Sequence, residues 1–341
     1  MNTLRFFALS LIVVSLAWMV GCSNNNSTVM PTVQAPSADV QALQQAVVTV
    51  DSVAAFSTSD QATIDDGGLH ADEYQTTSAG SPDFLTGTVS SDSLSPVRWG
   101  RHITHVSQSY AVDTTGDTLA TVTITQIITG ELRIGLGAHR SDTTVVDTVV
   151  KKPFTLDIKR KVLFRRVART NNPLHNWMPI AVTMAEGTSQ GTNDFSISSV
   201  EITDAVQHYD STFTDPLNSW FALGLFRGCI PRFRGNDSIT VRVTIASADS
   251  SNELVYLRHD IAGDPRHPGF GRAKMNLVSV SGTSGSYTRV YSRTLTTHFP
   301  SWGLLEERFN VMVDVLSYGT IYDNNAPYSN EIWGAPYMTL R

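Results

Sequence analysis

Between Leu119 and Thr129 the side chains alternate. Leu119, Thr121, Thr123, Thr125, Ile127 and Thr129 fall on one side of an extended chain, and Ala120, Val122, Ile124, Gln126 and Ile128 on the other. Successive side chains of a strand point to opposite faces, so this pattern fits a half-buried strand and no helix. Its threonine-rich side is expected to face solvent. Residues 103–113 form a second β-rich run, joined to residues 118–134 by Thr114-Thr115-Gly116-Asp117, which has the length and residues of a hairpin loop. A third strand is expected over 154–168, with Ile158, Val162 and Phe164 on one side and Lys159, Lys161 and Arg165 on the other. Further strands are expected over 197–203, 238–246, 253–259, 274–280, 287–296, 309–316 and 331–340, separated by Gly, Pro, Asn and Asp clusters. Ile239, Val241, Val243 and Ile245 make the clearest inward row.

Only one helix is expected. Ser37 is placed as its N-cap and Asp39 in its first turn, and Val40, Leu43, Val47, Val50 and Ala54 recur at steps of three and four. Residues 57–96 lose periodicity. The polar Thr170-Asn171-Asn172-Pro173 is the best candidate for a domain boundary, which divides the chain into an α+β domain over 37–170 and a β-sandwich over 171–341. The first, one helix and then long antiparallel strands, resembles the cystatin-like or NTF2-like arrangement, in which a curved sheet wraps a helix. The second is similar, at the level of architecture, to immunoglobulin-like or fibronectin type III-like sandwiches. The fold class expected is therefore mostly β.

The start of the chain speaks to address. Arg5 is the one charge in residues 1–21, and 6–20 is almost wholly apolar, as in a secretory signal. The run is short for a membrane span, which needs roughly 20 apolar residues. It ends at Met19-Val20-Gly21-Cys22. This resembles the lipobox of bacterial lipoproteins, which implies that residues 1–21 are removed as a signal peptide and that Cys22 is lipidated. Met19 stands where leucine is usual. Residues 23–36, rich in Asn, Ser and Thr, then read as a flexible tether. Ser23 after the cysteine implies, by the same resemblance, the outer membrane of a bacterial envelope. With Cys22 lipidated, Cys229 has no partner for an internal disulfide and is expected to be a buried small side chain.

Residues 22–97 contain no Lys or Arg, whereas residues 151–169 carry eight basic residues and one acid, Asp157. Complementary parts of one protein explain this most simply, with a basic surface for anionic lipid or polysaccharide as the alternative. An export signal argues against a nucleic-acid partner.

Chemistry is thinly marked. Gly282-Thr283-Ser284-Gly285-Ser286 has the wrong spacing for a nucleophile elbow, and no P-loop, dinucleotide fingerprint or His-Glu-x-x-His occurs, so no cofactor is expected. His102 and His105, three apart on a strand, are expected on opposite faces. A metal reading attaches to His259, Asp260, Asp264 and His267, and a weak calcium reading to Asp65, Asp66, Asp72 and Glu73. Tyr322, Asp323, Asn325, Tyr328 and Trp333 combine flat rings with amide and carboxylate groups, the residue types that bind sugars, and are the candidate ligand site. The reading is a non-enzymatic, lipid-anchored envelope protein with a binding or structural role, with a carbohydrate-binding or carbohydrate-active surface protein as the alternative. Its partners are the membrane, through the lipid, and a protein or polysaccharide.

Overall fold

Alternating sequence becomes long strands. The computed structural model describes residues 37–50, 53, 64–66, 69, 95–137, 139–140, 143–144, 146–191, 193–223, 230–260, 272–297, 300 and 306–341. Cys22, Cys229, Asp72, Glu73, Asp264 and His267 lie outside them, as do the side chains of His259 and Asp260. Helix α1 (Ala38–Thr49) is followed by β1 (Ser95–Thr115), β2 (Leu119–Gly137), the short pair β3 (His139–Arg140) and β4 (Thr143–Thr144), and β5 (Thr148–Arg166). Next come β6 (Trp177–Thr183), β7 (Ala185–Ser189), β8 (Phe195–Asp204), β9 (Tyr209–Phe213), β10 (Trp220–Ala222), β11 (Arg232–Arg234), β12 (Ser238–Ser247) and β13 (Leu254–Asp260). The last elements are β14 (Arg272–Lys274), β15 (Asn276–Thr283), β16 (Ser286–Thr296), β17 (Glu306–Leu316), the short helix α2 (Tyr318–Tyr322) and β18 (Asn330–Leu340).

The protein is mostly β, a sandwich-like arrangement of largely antiparallel sheets with a small helix. An eleven-stranded sheet runs β1-β2-β5-β7-β18-β17-β13-β14, with β6, β10 and β11 branching from it, and a five-stranded sheet runs β15-β16-β12-β8-β9. Gly116 turns β1 into β2 at a φ of 63°, as a tight hairpin requires. On β2 the even-numbered face is buried and the threonine face is more exposed, as the alternation predicts. Ile239, Val241, Val243 and Ile245 are all fully buried.

The boundary expected at residues 170–173 does not separate two cores. Strands β5 and β6 on its two sides pair antiparallel, from Val162↔Val182 to Arg166↔Trp177, and Ala38–Arg341 is one compact unit. Those polar residues shape a reversal instead. The Asn172 side chain accepts from the Leu174 amide at 3.2 Å, capping a 3-10 turn at Pro173–Asn176, and the Asn176 side chain accepts from the Thr170 amide at 2.7 Å. The helix and curved sheet expected of 37–170 are present, but the sheet is completed by strands from the second half, and the sandwich draws on both halves.

Helix α1 buries Ala42, Leu43, Ala46 and Val47, so its apolar stripe is rotated from the expected one toward the small alanines. Asp39 anchors it, accepting from Arg166 Nη2 at 2.6 Å and from Trp177 Nε1 at 3.1 Å.

The large sheet curls. β1 and β14 are its opposite ends in hydrogen-bond order, yet the Arg272 guanidinium of β14 sits 3.6 Å from the ring of Trp99 in β1 and donates to its carbonyl. The inner face of the curl buries Trp99, Ile128, Leu132, Phe154, Leu156, Met312 and Ile332. On β17 and β18 the opposite face, with Val311, Val313, Val315, Ala335 and Tyr337, shares a core with the five-stranded sheet.

Candidate functional site

Strand β17 reads Phe309-Asn310-Val311-Met312-Val313-Asp314-Val315-Leu316, and period two places Asn310, Met312, Asp314 and Leu316 on the inner face of the curl. Asp314 therefore arrives fully buried. Two arginines meet it there: Arg101 of β1 donates through Nη1 and Nη2 at 2.7 and 2.8 Å, and Arg258 of β13 through Nε at 2.6 Å. Asn330 adds its side-chain amide at 2.7 Å. Asp66, also buried, accepts from Arg258 Nη1 at 2.8 Å and from the Arg101 backbone amide at 2.8 Å, with Arg272 Nη1 3.6 Å away. Burial by itself would raise both carboxyl pKa values. The arginine charges outweigh it, chiefly Arg101 at Asp314 and Arg258 at Asp66, and hold both below the usual carboxylate range. The cluster joins β1, β13, β14, β17 and the segment at Asp66. Its chemistry is that of a brace, since both acids are spent on arginines.

A second acidic site lies on the opposite face. Glu331 of β18 pairs with Thr188 of β7, and Glu186 pairs with Trp333, which sets the two carboxylates diagonally on one face. Glu331 accepts from the Ile197 amide of β8 at 3.0 Å and from Trp333 Nε1 at 3.1 Å, so it ties the two sheets together. Burial, with a further push from Glu186, raises its pKa to about 7 against those two hydrogen bonds. Burial and then Asp215 raise that of Glu186, against Lys159 and Lys161.

The five residues of the expected ligand site do not converge. Tyr328 is buried inside the curl, stacked on Phe154 at 4.9 Å, and Trp333 is buried in the core shared with the five-stranded sheet. Tyr322 stays near the surface, half-buried and stacked on Tyr318 at 4.4 Å, beside exposed Asp323 and Asn325. This loop is held firmly. Ser317 caps α2 by accepting from the Thr320 amide at 3.1 Å, and Asp323 Oδ1 accepts from the Asn325 amide at 2.8 Å. Lys152 reaches in from β5 and donates to the carbonyls of Thr320, Asp323 and Ala326. Burial lowers the Lys152 pKa, partly offset by the Asp323 charge.

The histidine expectation is corrected by a bulge. β1 pairs Ile103 with Gly130 and then His105 with Thr129, leaving Thr104 as an extra residue, so His102 and His105 share one face. Gly130 suits this crossing, because a Cβ there would lie 2.3 Å from the His102 carbonyl. No group of three or more His, Cys, Asp or Glu able to hold a metal occurs among the described residues.

The basic run at 151–169 is divided between the interior and the odd-numbered outer side of β5, where Lys151, Lys159, Lys161 and Arg165 lie. Lys152 and Arg160 point inward, the latter donating to the Thr183 carbonyl at 2.7 Å, while Lys151 meets Glu131 at 3.3 Å and Arg169 meets Asp117 at 3.1 Å. Of the acids in 22–97, Asp39 pairs with this run through Arg166, and Asp66 pairs elsewhere. No helix of the described residues is long and apolar enough to cross a membrane. Comparison with models of known protein families and with curated proteins yields no match to this chain.

Proposed function

We propose that this is a lipid-anchored protein of a bacterial cell envelope whose folded body has a binding or structural role rather than a catalytic one. The observation that carries the reading is the order of the N-terminus: an apolar run closed by Gly21-Cys22, a polar stretch over 23–36, and a compact body that starts at Ala38. Several acyl chains on one cysteine would hold such a body at a bilayer far better than a single chain. Residues 22–97 carry no Lys or Arg, and those of their acids that no arginine pairs would be repelled by anionic headgroups, which favours a body held with those acids away from the surface. Ser23 favours the outer membrane. In bacteria fed a labelled fatty acid, the wild-type chain is expected to take up label and lose residues 1–21, and Cys22→Ser to do neither. Equal labelling of the variant would overturn the assignment.

A second reading, carbohydrate binding, draws on the Tyr318–Tyr322 stack beside exposed Asp323 and Asn325 on a loop pinned by Lys152. Rings at a surface with amide and carboxylate neighbours suit pyranose faces and hydroxyls. Tyr322→Ala is expected to weaken binding on a glycan array on the order of tenfold, since an aromatic contact contributes about 0.5 to 1.5 kcal/mol beyond area burial, and to lower thermal stability modestly because the ring also packs on the core of the curl. An array without signal for the wild type removes this reading.

A further inference from the structure

Helix α1 begins at Ala38, where the body joins residues 1–37, and its first turn is fixed to one end of the large sheet. Asp39 accepts there from Arg166 of β5 and from Trp177 of β6, at 2.6 and 3.1 Å. Arg166 and Trp177 are cross-strand partners, and the residues next to them in each strand point to the other side of the sheet. On that side Arg165 stands opposite Met178, and Val167 continues the row, its amide donating to the Asn176 carbonyl at 2.8 Å. Val167 and Met178 expose 51 and 41% of their surface, and Arg165 is exposed as well. Farther along the same side Trp220 of β10, cross-strand from Thr183 of β6, is 40% exposed.

Arg165 has no ion pair among the described residues. Its neighbours are spoken for: Arg166 is spent on Asp39, and Arg169 meets Asp117 at 3.1 Å. Lys159 and Lys161 lie toward Glu186, whose charged form they favour, and Asp113 of β1 is two strands away from β5. A free guanidinium beside Val167 and Met178, with an indole farther along, joins attraction for anionic headgroups to side chains that suit the boundary between headgroups and acyl chains.

We propose that this end of the sheet, centred on Arg165, Val167 and Met178, is the face with which the body rests on an anionic phospholipid bilayer. The assignment rests on the lipid-anchor reading, because the anchor is what brings a bilayer within reach. The chain from Cys22 enters the body at Ala38, next to the Asp39 contacts that back this face, and residues 23–37 span at most about 50 Å even fully extended. A bilayer tied that close acts at high effective concentration, so one cation and a few apolar side chains suffice where a free partner would need a larger surface.

The protein purified from bacterial membranes and reconstituted on vesicles of phosphatidylethanolamine and phosphatidylglycerol tests this. An environment-sensitive fluorophore is placed on Val167→Cys or, as a reference at another exposed apolar site, on Val206→Cys, each with Cys229→Ser. The label at 167 is expected to shift to the blue on the vesicles and the label at 206 to stay unchanged. Arg165→Glu should lower the bilayer-contacting population on the order of tenfold, and about 1 M salt should act in the same sense. Position 165 is exposed, so far-UV circular dichroism of that variant should match the wild type. A chain that floats with the vesicles while the label at 167 does not shift overturns the docking and leaves the anchor standing. A chain that does not float overturns both. A shift at 167 that follows protein density rather than phosphatidylglycerol content marks contact with a second copy and overturns the docking too.

Discussion

Replacing Asp314 with alanine is expected to destabilise the protein by roughly 3 to 5 kcal/mol, read from urea unfolding at neutral pH. The size follows from what the substitution leaves behind. Arg101 and Arg258 are buried, and both donate to this carboxylate, so its removal strands two guanidinium groups away from water with Asp66 as the nearest compensating charge. The penalty of an uncompensated buried charge exceeds the net strength of the pair that held it. Asp314→Ala should therefore cost more than a cavity of that size alone. Arg101→Met should cost less, because Asp314 would keep Arg258 and Asn330 as donors.

Relative to the wild type, Glu331→Gln is expected to gain on the order of 2 to 3 kcal/mol of stability between pH 4 and pH 8. The sign follows from linkage. In the folded state the Glu331 pKa is raised to about 7, whereas in the unfolded chain it lies near the ordinary glutamate value of 4.5. Between these values the folded state binds more protons than the unfolded state, so stability falls as pH rises from about 4.5 to 7. Glutamine stays neutral and keeps one acceptor oxygen for the Ile197 amide, but its NH2 then meets the Trp333 Nε1–H donor, which costs about 1 kcal/mol at every pH. The groups facing Glu331 are Glu186 directly, with Asp215, Lys159 and Lys161 acting through Glu186. Asp66 and Asp314 act in the opposite sense. Their folded-state pKa values are depressed, so their contribution is fully present above the unfolded aspartate range, near pH 4, and is lost as pH falls through the folded values. Together these groups predict a wild-type stability maximum near pH 5, and Glu331→Gln should flatten its alkaline side. Thermal unfolding of both proteins from pH 4 to 8 checks this, and parallel curves would show that Glu331 does not titrate in that window.

Local order was legible in the sequence because it depends on period and turn chemistry. The hairpin at Gly116, the threonine face of β2 and the inward row on β12 all follow from neighbours a few residues apart. Partnership between distant strands was not legible. Thr170-Asn171-Asn172-Pro173 has the composition of a linker, yet its side chains fold back on the local backbone and return the chain to the sheet it has just left. Tyr328 and Trp333 look like one aromatic patch in sequence, but the first enters the interior of the curl and the second turns to the opposite face of the sheet. The brace left a trace that period two could have exposed. Asn310 and Asp314 alternate with Met312 and Leu316 along the otherwise apolar run 309–316, which marks an interior polar position that needs a cation. What sequence could not supply was the identity of that cation, since Arg101 lies 213 residues away.

A double-mutant cycle between Arg101 and Asp314, measured by urea unfolding of the wild type, Arg101→Met, Asp314→Leu and the double variant, tests most directly whether this buried pair joins the first strand to the C-terminal strands. A coupling of about 1.5 to 3 kcal/mol, with the double variant more stable than the sum of the single losses predicts, is the expected result. Losses that add within about 0.5 kcal/mol would contradict the account.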